Sequence, residues 1–383
     1  MKVLMISTDR KIFEDGRGAR SRMIEYGALV RELHIVVFVA KEIKNKNWKL
    51  EIANNVWAYP TNSKSKWHYV GDAIRLGKQI IRGNHSLETE RWLVTAQDPS
   101  ATGLVAWRIA QTLKLPFQLQ VHTDIFSPHF VEHSAFNKLL VRIAQFLLPR
   151  AAGVRVVSER IRRALVAKYR LPSTKVSVLP IFVNVREIEK AEPKVNLHVL
   201  YPQFNFIILM ASRLEREKNI PLALLAFKDI IRTHPRVGLV ILGDGSEKHM
   251  LGQIVSNNGL HGNVVFAGWS DDIVSYYKTA DLFLLTSDYE GYGMTLIEAA
   301  AAGCPIVTTD VGAVGEIITK DNALVCPVGD KECLAKQIRL AIENKGMRER
   351  LARNAREAVL RVAPGTKEQY LEQYKKCWEQ YFS

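Results

Sequence analysis

The amino-acid sequence predicts an α/β protein of two domains with parallel sheets, and three observations lead to this prediction. The chain has 383 residues, which is enough for two α/β domains of ordinary size. Short apolar runs alternate with helical patterns along it, as in sheets covered by helices. The right-handed crossover rule then makes parallel sheets the expected outcome. No uncharged apolar run approaches the ~20 residues of a membrane span, and the chain start becomes charged too early for a signal peptide. We therefore expect a soluble, cytoplasmic protein.

Positive charge is concentrated in the first half of the chain. Residues 1–180 hold 29 Lys and Arg against 14 Asp and Glu, whereas residues 181–383 hold 24 against 25. A basic half suggests an anionic partner, which could be a membrane surface, a lipid phosphate, an acidic glycan or nucleic acid. The alternative is that these charges are dispersed for solubility.

Neither the cysteines nor the histidines have the spacing of a metal site. Cysteines 304, 326, 333 and 377 lack any C-x-x-C pairing, so we expect reduced, packed thiols rather than a disulfide framework or a zinc site. His122 lies near His129 and His133, but their spacing fits no regular helical pair and no cysteine accompanies them. We predict that no metal is bound.

The first domain is predicted to begin with a strand, a glycine loop and a helix. The strand covers residues 2–7, the loop holds Gly16 and Gly18, and the helix runs to about Leu33. The G-x-G-x-x-G fingerprint of dinucleotide-binding folds is absent. The two glycines therefore mark either a ligand-binding loop or a simple tight turn.

Three polar residues are expected at the carboxyl edge of the first sheet. Asp98 follows the predicted strand 92–95, and His122 and Asp124 follow the predicted strand 117–121. Open α/β sheets bind ligands at this edge, so Asp98 is a candidate for binding a ligand hydroxyl. The alternative for Asp98 is an Asp-Pro turn that starts a helix, and for His122 it is an ordinary hydrogen-bonded histidine.

A phosphate-binding loop is predicted in the second half. The apolar run 282–285 has the character of a buried strand, and a helix begins at Met294 after a glycine-containing loop. Gly291 and Gly293 let the backbone approach a ligand closely. The free N–H groups at the start of the helix, at Met294 and Thr295, make an anion site.

Two carboxylates flank this predicted anion site. Glu290 lies in the loop and Glu298 one turn into the helix, with seven residues between them. A carboxylate repels phosphate, so carboxylates that face the ligand should accept hydrogen bonds from hydroxyls on either side of it. Those hydroxyls would belong to a sugar and a ribose. The alternative is a solvated Glu290 and a Glu298 that complements the helix dipole.

Two cations follow another predicted strand, residues 206–210. Arg213 and Lys218 bracket the loop after it, and Pro221 suits the first turn of the next helix. The loop therefore lies at the carboxyl edge of the second sheet. Solvated surface charge is the alternative for both cations.

These motifs together resemble glycosyltransferase family 4, a family of retaining enzymes. The segment from Glu290 to Glu298, with Gly303-Cys-Pro305 after it, resembles the E-x7-E motif. Arg213 and Lys218 match the spacing of the family's G-R-L-x-x-x-K-G motif, in which Ser212 here replaces glycine. The resemblance covers nearly the whole chain. It implies the GT-B fold, in which two Rossmann-like domains face each other across a cleft and a C-terminal helix crosses back to the first domain.

The resemblance also implies how the chain is divided. Residues 1–183 would bind the acceptor, 184–200 would be the linker, 201–364 would bind the nucleotide sugar, and 365–383 would form the returning helix.

The implied activity is transfer of a hexose from a UDP- or GDP-sugar to a glycan or lipid-linked acceptor, with retention of configuration and without metal or cofactor. Arg213 and Lys218 would clamp the diphosphate, and His122 would border the transferred sugar. The donor-binding residues would be Arg213, Lys218, Glu290, Gly291, Gly293, Met294, Thr295, Glu298 and Gly16, the acceptor-binding residues Asp98 and Asp124, and the catalytic residues His122, Glu290, Arg213 and Lys218.

Two other functions are compatible with parts of the sequence. A sugar-nucleotide epimerase or phosphorylase-like enzyme of the same fold would need further acid and base residues in the first domain. A nucleic-acid-binding protein would suit the net charge of +14, but no nucleic-acid-binding module is recognised. If the protein is a transferase, its basic first half predicts that it binds peripherally to the anionic inner face of the cytoplasmic membrane.

Overall fold

A computed structural model describes residues 1–14, 16, 18–40, 49–83, 91–362 and 365–382. The chain divides into two compact units, one formed by Met1–Pro180 with Gly365–Ser383 and the other by Ile181–Pro364. The predicted linker, residues 184–200, lies within the second unit and contains two short helices.

The first unit contains an eight-stranded sheet. Its strands are β1 (Lys2–Ser7), β2 (Glu32–Val37), β3 (Leu50–Ala53), β4 (Val56–Pro60), β5 (Trp92–Ala96), β6 (Phe117–Val121), β7 (Gly153–Val156) and β8 (Val176–Val178). They lie in the order β3-β4-β2-β1-β5-β6-β7-β8. All neighbouring pairs are parallel except β3 with β4. The expectation of an entirely parallel sheet is wrong at this edge, because the two-residue turn at 54–55 joins β3 to β4 as a hairpin.

Helices follow most of these strands. They are α1 (Gly18–Gly27), α2 (Tyr69–Gly83), α3 (Ala101–Leu113), α4 (Pro128–Glu132), α5 (Ala135–Leu147) and α6 (Glu159–Tyr169). The predicted extension of the first helix to Leu33 is wrong. The helix ends at Gly27, because Leu33 already pairs with Val3 between β2 and β1.

The second unit contains a six-stranded, entirely parallel sheet. Its strands are β9 (Phe206–Ala211), β10 (Val237–Leu242), β11 (Val264–Gly268), β12 (Leu282–Leu285), β13 (Ile306–Thr309) and β14 (Leu324–Cys326). Their order is β11-β10-β9-β12-β13-β14. The helices are α7 (Val185–Lys190), α8 (Leu197–Leu200), α9 (Ile220–Ile231), α10 (Lys248–Asn257), α11 (Ile273–Thr279), α12 (Met294–Ala301), α13 (Lys331–Glu343) and α14 (Lys345–Val362).

The core of the second unit holds the sheet rigid. Ile208 of β9 packs in one buried cluster with Phe227 of α9 and Leu334 of α13, and all three are fully buried. Burying each such side chain contributes about 1.5–3 kcal/mol. The loops at the ends of these strands are therefore held on a fixed frame.

The last helix, α15 (Lys367–Glu379), belongs to the first unit. Tyr374 and Trp378 of this helix are buried. The Tyr374 ring stacks on Tyr26 of α1 with 4.2 Å between ring centroids, and Gln118 of β6 donates a 2.8 Å hydrogen bond to the Cys377 carbonyl. The C-terminal helix thus returns to the first unit, as the GT-B fold requires.

The expectation that all four cysteines are reduced is wrong for one pair. Cys326 ends β14 and Cys333 lies in the first turn of α13, and the two form a disulfide with 5.8 Å between their Cα atoms. The short connection between strand and helix brings residues seven apart into contact. The expectation rested on the absence of C-x-x-C spacing, which says nothing about a pair at this separation. Cys304 and Cys377 are free.

Among the helices that the structure describes, none combines the length and apolar character that would be needed to cross a bilayer.

Candidate active site

The second sheet has a topological switch point between β9 and β12. From β9 the chain proceeds to β10 and β11 on one side, and from β12 it proceeds to β13 and β14 on the other. The loops after β9 and β12 therefore diverge and leave a crevice at the carboxyl edge, which is where open α/β sheets bind ligands. The predicted cations follow β9, and the predicted carboxylate loop follows β12.

The loop after β9 carries the two predicted cations in different environments. Arg213 is exposed, and its guanidinium lies 2.8 Å from the Glu217 carboxylate. Lys218 is largely buried, with 14% of its side chain exposed. The hydroxyl of Thr286, which follows β12, donates to the carbonyls of Lys218 and Asn219, each at 3.0 Å. These bonds tie the two loops together on either side of the crevice.

Glu290 and Lys218 form a direct ion pair. The ammonium nitrogen of Lys218 lies 2.6 Å from Glu290 Oε1, and only 13% of the Glu290 side chain is exposed. The same oxygen accepts a 2.8 Å hydrogen bond from the Ser287 hydroxyl. Glu290 is therefore held in place by two donors. Its carboxylate compensates the charge of Lys218, and it could accept hydrogen bonds from a ligand in place of this contact.

The helix α12 begins beside this ion pair. Gly293 is its N-cap and has a left-handed backbone with φ of +79°, a conformation that favours glycine. Gly291 is buried, Met294 is exposed and Thr295 is half-buried. The first N–H groups of a helix have no partner within the helix, so this end of α12 can receive an anion.

Glu298 lies on the first turns of α12 and is half-buried. Its carboxylate accepts a 3.0 Å hydrogen bond from the hydroxyl of Tyr277, a fully buried residue of α11. Burial raises the pKa of Glu298, and the Tyr277 hydrogen bond opposes this increase. The Tyr277 contact orients Glu298. The remaining lone pairs of the Glu298 carboxylate can accept hydrogen bonds from hydroxyl groups of a ligand.

In the first unit, the switch point lies between β1 and β5. The Ser7 hydroxyl at the end of β1 donates a 2.5 Å hydrogen bond to Gln97, which follows β5. Gly16, in the loop after β1, has φ of +70°, and no atom lies within 4 Å of the place where a Cβ would stand. Its neighbours Asp15 and Arg17 lie outside the described residues.

Asp98 and His122 line one cavity at this edge, with a volume of about 210 Å³. The Asp98 carboxylate accepts hydrogen bonds from the Ser100 N–H at 2.8 Å and the Thr102 hydroxyl at 2.7 Å. These are the bonds of a turn that starts α3, so the Asp98 carboxylate is largely engaged by its own loop.

Asp124 stands apart from the pair formed by Asp98 and His122. The cavity is lined by its neighbours Thr123 and Ile125. The Asp124 carboxylate accepts a 3.2 Å hydrogen bond from the Phe126 N–H, and burial raises the pKa of this carboxyl group.

The comparisons with known proteins agree with this geometry. Residues 200–358 match the family described as Glycosyl transferases group 1, and residues 28–187 match Glycosyltransferase Family 4. Together these matches cover most of the chain. The chain belongs to the family 4-type GT-B glycosyltransferases.

Relatives of this glycosyltransferase are distant. An uncharacterized glycosyltransferase of Methanocaldococcus jannaschii is 24% identical over 317 residues, which is 81% of each chain. The N-acetyl-alpha-D-glucosaminyl L-malate synthase of Bacillus anthracis is 31% identical over 40% of each chain. The alpha-monoglucosyldiacylglycerol synthase of Streptococcus pneumoniae is 30% identical over 56% of this chain and 51% of its own. For the last two enzymes, the match thus spans about half of their length or less.

Solved structures share the fold over the whole chain. Anabaena HepE in complex with UDP has a TM-score of 0.73 at 20% identity, covering 99% of this chain and all of the other. Sucrose-phosphate synthase from Thermosynechococcus elongatus has a TM-score of 0.77 at 18% identity, covering 100% and 99%. These similarities show the GT-B fold.

Sequence reasoning missed several residues around the glycosyltransferase site. Tyr277, which orients Glu298, lies on α11, for which no site residue was predicted. Gln120 of β6 contacts His122 at 3.1 Å and is buried. The signal for Gln120 was present, since a strand expected to be buried in a parallel sheet carries a polar residue at every second position. In the described part of the chain, no group of three or more His, Cys, Asp or Glu residues could hold a metal ion.

Proposed function

We propose that this glycosyltransferase retains the anomeric configuration of a hexose that it moves from a UDP- or GDP-sugar to a glycan or lipid-linked acceptor. The observation that carries the proposal is the Lys218–Glu290 ion pair at the switch point, beside the N-terminus of α12. The Lys218 ammonium group suits a diphosphate, and the Glu290 carboxylate suits sugar hydroxyls. The bond that joins diphosphate and sugar in a nucleotide sugar therefore fits here.

The leaving diphosphate would be stabilised by charges of the protein and without a metal. Lys218 and Arg213 each supply a cation, and α12 supplies its N-terminal N–H groups, with Met294 and Thr295 in its first turn. Preorganised groups of this kind stabilise charge that develops in the transition state. Gly293 allows close approach of the ligand to the backbone, and Gly291 precedes it in the same loop.

The hydroxyl groups of the donor would bind the two carboxylates. Glu290 would accept hydrogen bonds from the hexose, and Glu298 would accept them from the ribose diol. In the first unit, we assign His122 to the transferred sugar, Gly16 to the donor, and Asp98 and Asp124 to the acceptor. The acceptor would attack on the same face as the departing diphosphate, since none of these carboxylates has an assigned role as covalent nucleophile.

The relatives support the donor and acceptor classes in this proposal. The Anabaena neighbour has been solved with UDP and with UDP-glucose, which favours a uridine nucleotide among the donors. One relative makes a glucosylated diacylglycerol, and another takes part in capsular polysaccharide biosynthesis. A lipid-linked or growing glycan acceptor is consistent with both relatives.

The test compares turnover of UDP-, GDP- and ADP-sugars by the full-length wild type and three variants. Glu290→Gln and Arg213→Ala should each lower transfer or donor hydrolysis about 100-fold, because each removes a preorganised contact to the donor. Arg216→Ala removes an exposed arginine from the same loop and serves as the matched control. Near-normal turnover in both site variants, or no turnover of any nucleotide sugar by the wild type, would contradict the proposal.

We also propose that the first unit docks on anionic membranes through α5. Three apolar side chains of this helix are exposed, Phe136 by 64%, Leu139 by 51% and Phe146 by 38%, and Lys138 and Arg142 are exposed beside them. Apolar side chains flanked by basic ones suit the interface of an anionic bilayer, where each basic residue contributes about 1 kcal/mol. The enzyme would then act at the cytoplasmic membrane.

Co-sedimentation of the full-length protein with anionic and neutral vesicles tests this part of the proposal. We expect binding to anionic vesicles that weakens with salt, and a loss of binding in Phe136→Ser/Leu139→Ser. The matched control is Val199→Ser/Leu200→Ser, which changes two exposed apolar residues of the second unit. Equal, negligible binding of the wild type to both vesicle types would refute membrane docking and leave the transferase proposal standing.

A further inference from the structure

A chain of buried polar groups connects His122 to the C-terminal helix. Gln118 and Gln120 alternate along β6 ahead of His122, so they lie on the same face of the sheet. Gln118 donates to the Cys377 carbonyl of α15. The Gln120 side-chain oxygen lies 3.2 Å from the Tyr374 hydroxyl of α15 and 3.1 Å from His122 Nε2. Every second position of β6 thus joins this face of the strand to α15.

Arg155 of β7 determines the orientation of the Gln120 amide. Its guanidinium lies 3.0 Å from the Gln120 side-chain oxygen, and both side chains are buried. Arginine has donors and no acceptor, so the amide atom that faces Arg155 must be the oxygen. The amide nitrogen accordingly donates to the Thr95 hydroxyl at 3.0 Å. This removes the usual ambiguity of a glutamine amide.

The orientation of Gln120 then determines which nitrogen of His122 carries the proton. The Gln120 oxygen can only accept, so His122 Nε2 must donate to it. A neutral imidazole with its proton on Nε2 has an unprotonated Nδ1, which accepts hydrogen bonds. The sequence of constraints runs from Arg155 through Gln120 to His122.

We infer that Gln120, held by Arg155 and by Tyr374 of α15, is a positioning residue that keeps His122 as the neutral Nε2–H tautomer with Nδ1 as an acceptor. That Nδ1 accepts a hydrogen bond from a sugar hydroxyl rests on the proposed function. The tautomer itself does not. The C-terminal helix thereby contributes to the site through Gln120, although α15 supplies none of the predicted site residues.

The surrounding charges favour the neutral form of His122. Arg155 is buried, and within the described part of the chain its hydrogen-bond partners are the Gln120 oxygen, the Leu179 carbonyl and the Tyr370 hydroxyl, none of them a carboxylate. Burial, together with the nearby cations Arg155 and Arg22, lowers the pKa of His122 to about 3. His122 therefore acts as a hydrogen-bond acceptor at neutral pH and not as a proton donor of the imidazolium type.

Side-chain ¹⁵N NMR of the full-length, histidine-labelled protein tests the inference. The His122 signals are assigned by their loss in His122→Gln. We expect the Nε2–H tautomer at pH 7 and no protonation down to about pH 5, which lies well above the lowered pKa. Tyr374→Phe, which removes one donor to Gln120, should keep the tautomer. An Nδ1–H tautomer or a protonated ring in the wild type at pH 7 would overturn the inference.

Variants at Gln120 separate positioning from simple packing. Gln120→Met should give mixed tautomers and about tenfold lower turnover, the factor expected for one lost hydrogen bond. Gln120→Glu supplies an acceptor-only side chain and should restore the Nε2–H tautomer. Gln118→Met is the matched control, since it replaces a buried glutamine on the same face of β6 whose bonds go to Cys377 of α15, to Tyr381 and to Thr95. It should leave the His122 signals unchanged.

The outcomes distinguish this inference from the proposed function. An unchanged tautomer in Gln120→Met, or the same change in Gln118→Met, would refute the positioning role. If Gln120→Met fails to fold, Gln120→Glu decides, because retention of the Nε2–H tautomer supports the positioning role and an Nδ1–H tautomer refutes it. A wild type that turns over no nucleotide sugar but shows the Nε2–H tautomer would refute the proposed function alone.

Discussion

Replacing Gly312 by alanine should damage the site by displacing the loop that carries Glu290. Gly312 lies after β13 with φ of +59°, and a Cβ there would stand 2.5 Å from the Tyr292 carbonyl oxygen and 3.1 Å from the Glu290 Cβ. Ordinary contact begins near 3.4 Å, so the loop must move by about 0.9 Å. Misplacement of about 1 Å can cost about 100-fold in rate. We therefore expect Gly312→Ala to lower turnover of the preferred nucleotide sugar about 30- to 100-fold.

Gly315→Ala is the matched control for this prediction. Gly315 has φ of +85°, and no atom lies within 4 Å of the place where its Cβ would stand. Both variants carry the backbone strain of a left-handed alanine, about 1–2 kcal/mol, and should melt at a lower temperature than the wild type. Only Gly312→Ala should also lose activity measured well below its melting temperature. Equal turnover in the two variants would refute the claim that Gly312 positions Glu290.

Three further predictions concern metal dependence, the titration of Glu298 and the thiols. A chelator should leave turnover within about twofold, because in the proposed mechanism Arg213, Lys218 and the start of α12 would take the place of a metal, and activity that depends on added Mg²⁺ or Mn²⁺ would contradict this. Burial raises the pKa of Glu298 above its ordinary value of 4.5, so the folded state binds the proton more tightly and stability falls as pH rises through 4.5 to the raised pKa. Glu298→Gln should therefore melt higher than the wild type at pH 7, with the difference closing below about pH 4.5, while donor affinity falls. Denatured, unreduced protein should show two titratable thiols, Cys304 and Cys377, and a count of four before reduction would refute the Cys326–Cys333 disulfide.

The strands that precede the candidate site residues could be predicted because their signal is local. Buried parallel strands are apolar on both faces, so runs such as 282–285 stand out from the polar loops around them. The residue after each strand is then placed at the carboxyl edge by the parallel topology alone. This is why Arg213 and Glu290, in loops that follow strands far apart in sequence, could both be assigned to one edge of the second sheet.

The contacts between side chains could not be predicted in the same way. Lys218 and Glu290 are 72 residues apart, and their pairing depends on β9 and β12 being neighbours at the switch point, which alternation of strands and helices does not specify. The same holds for Gln120 and Tyr374, which meet only because α15 returns to the first unit. Asp98 shows the converse: its local Asp-Pro sequence pointed to a turn, and its carboxylate accepts hydrogen bonds within that turn.

In the proposed mechanism, the ion pair links binding of the phosphates to binding of the sugar. A diphosphate that attracts Lys218 takes away the cation that compensates Glu290, whose side chain is only 13% exposed. Leaving a buried carboxylate unpaired costs several kcal/mol, and the hydroxyls of an attached hexose can reduce this cost by donating to it. The intact nucleotide sugar should therefore bind more tightly than the nucleoside diphosphate, which brings no hexose hydroxyls to Glu290. After transfer, the hexose leaves with the acceptor. Glu290 then competes with the diphosphate for Lys218, so re-formation of the ion pair seen in the ligand-free site promotes release of the diphosphate.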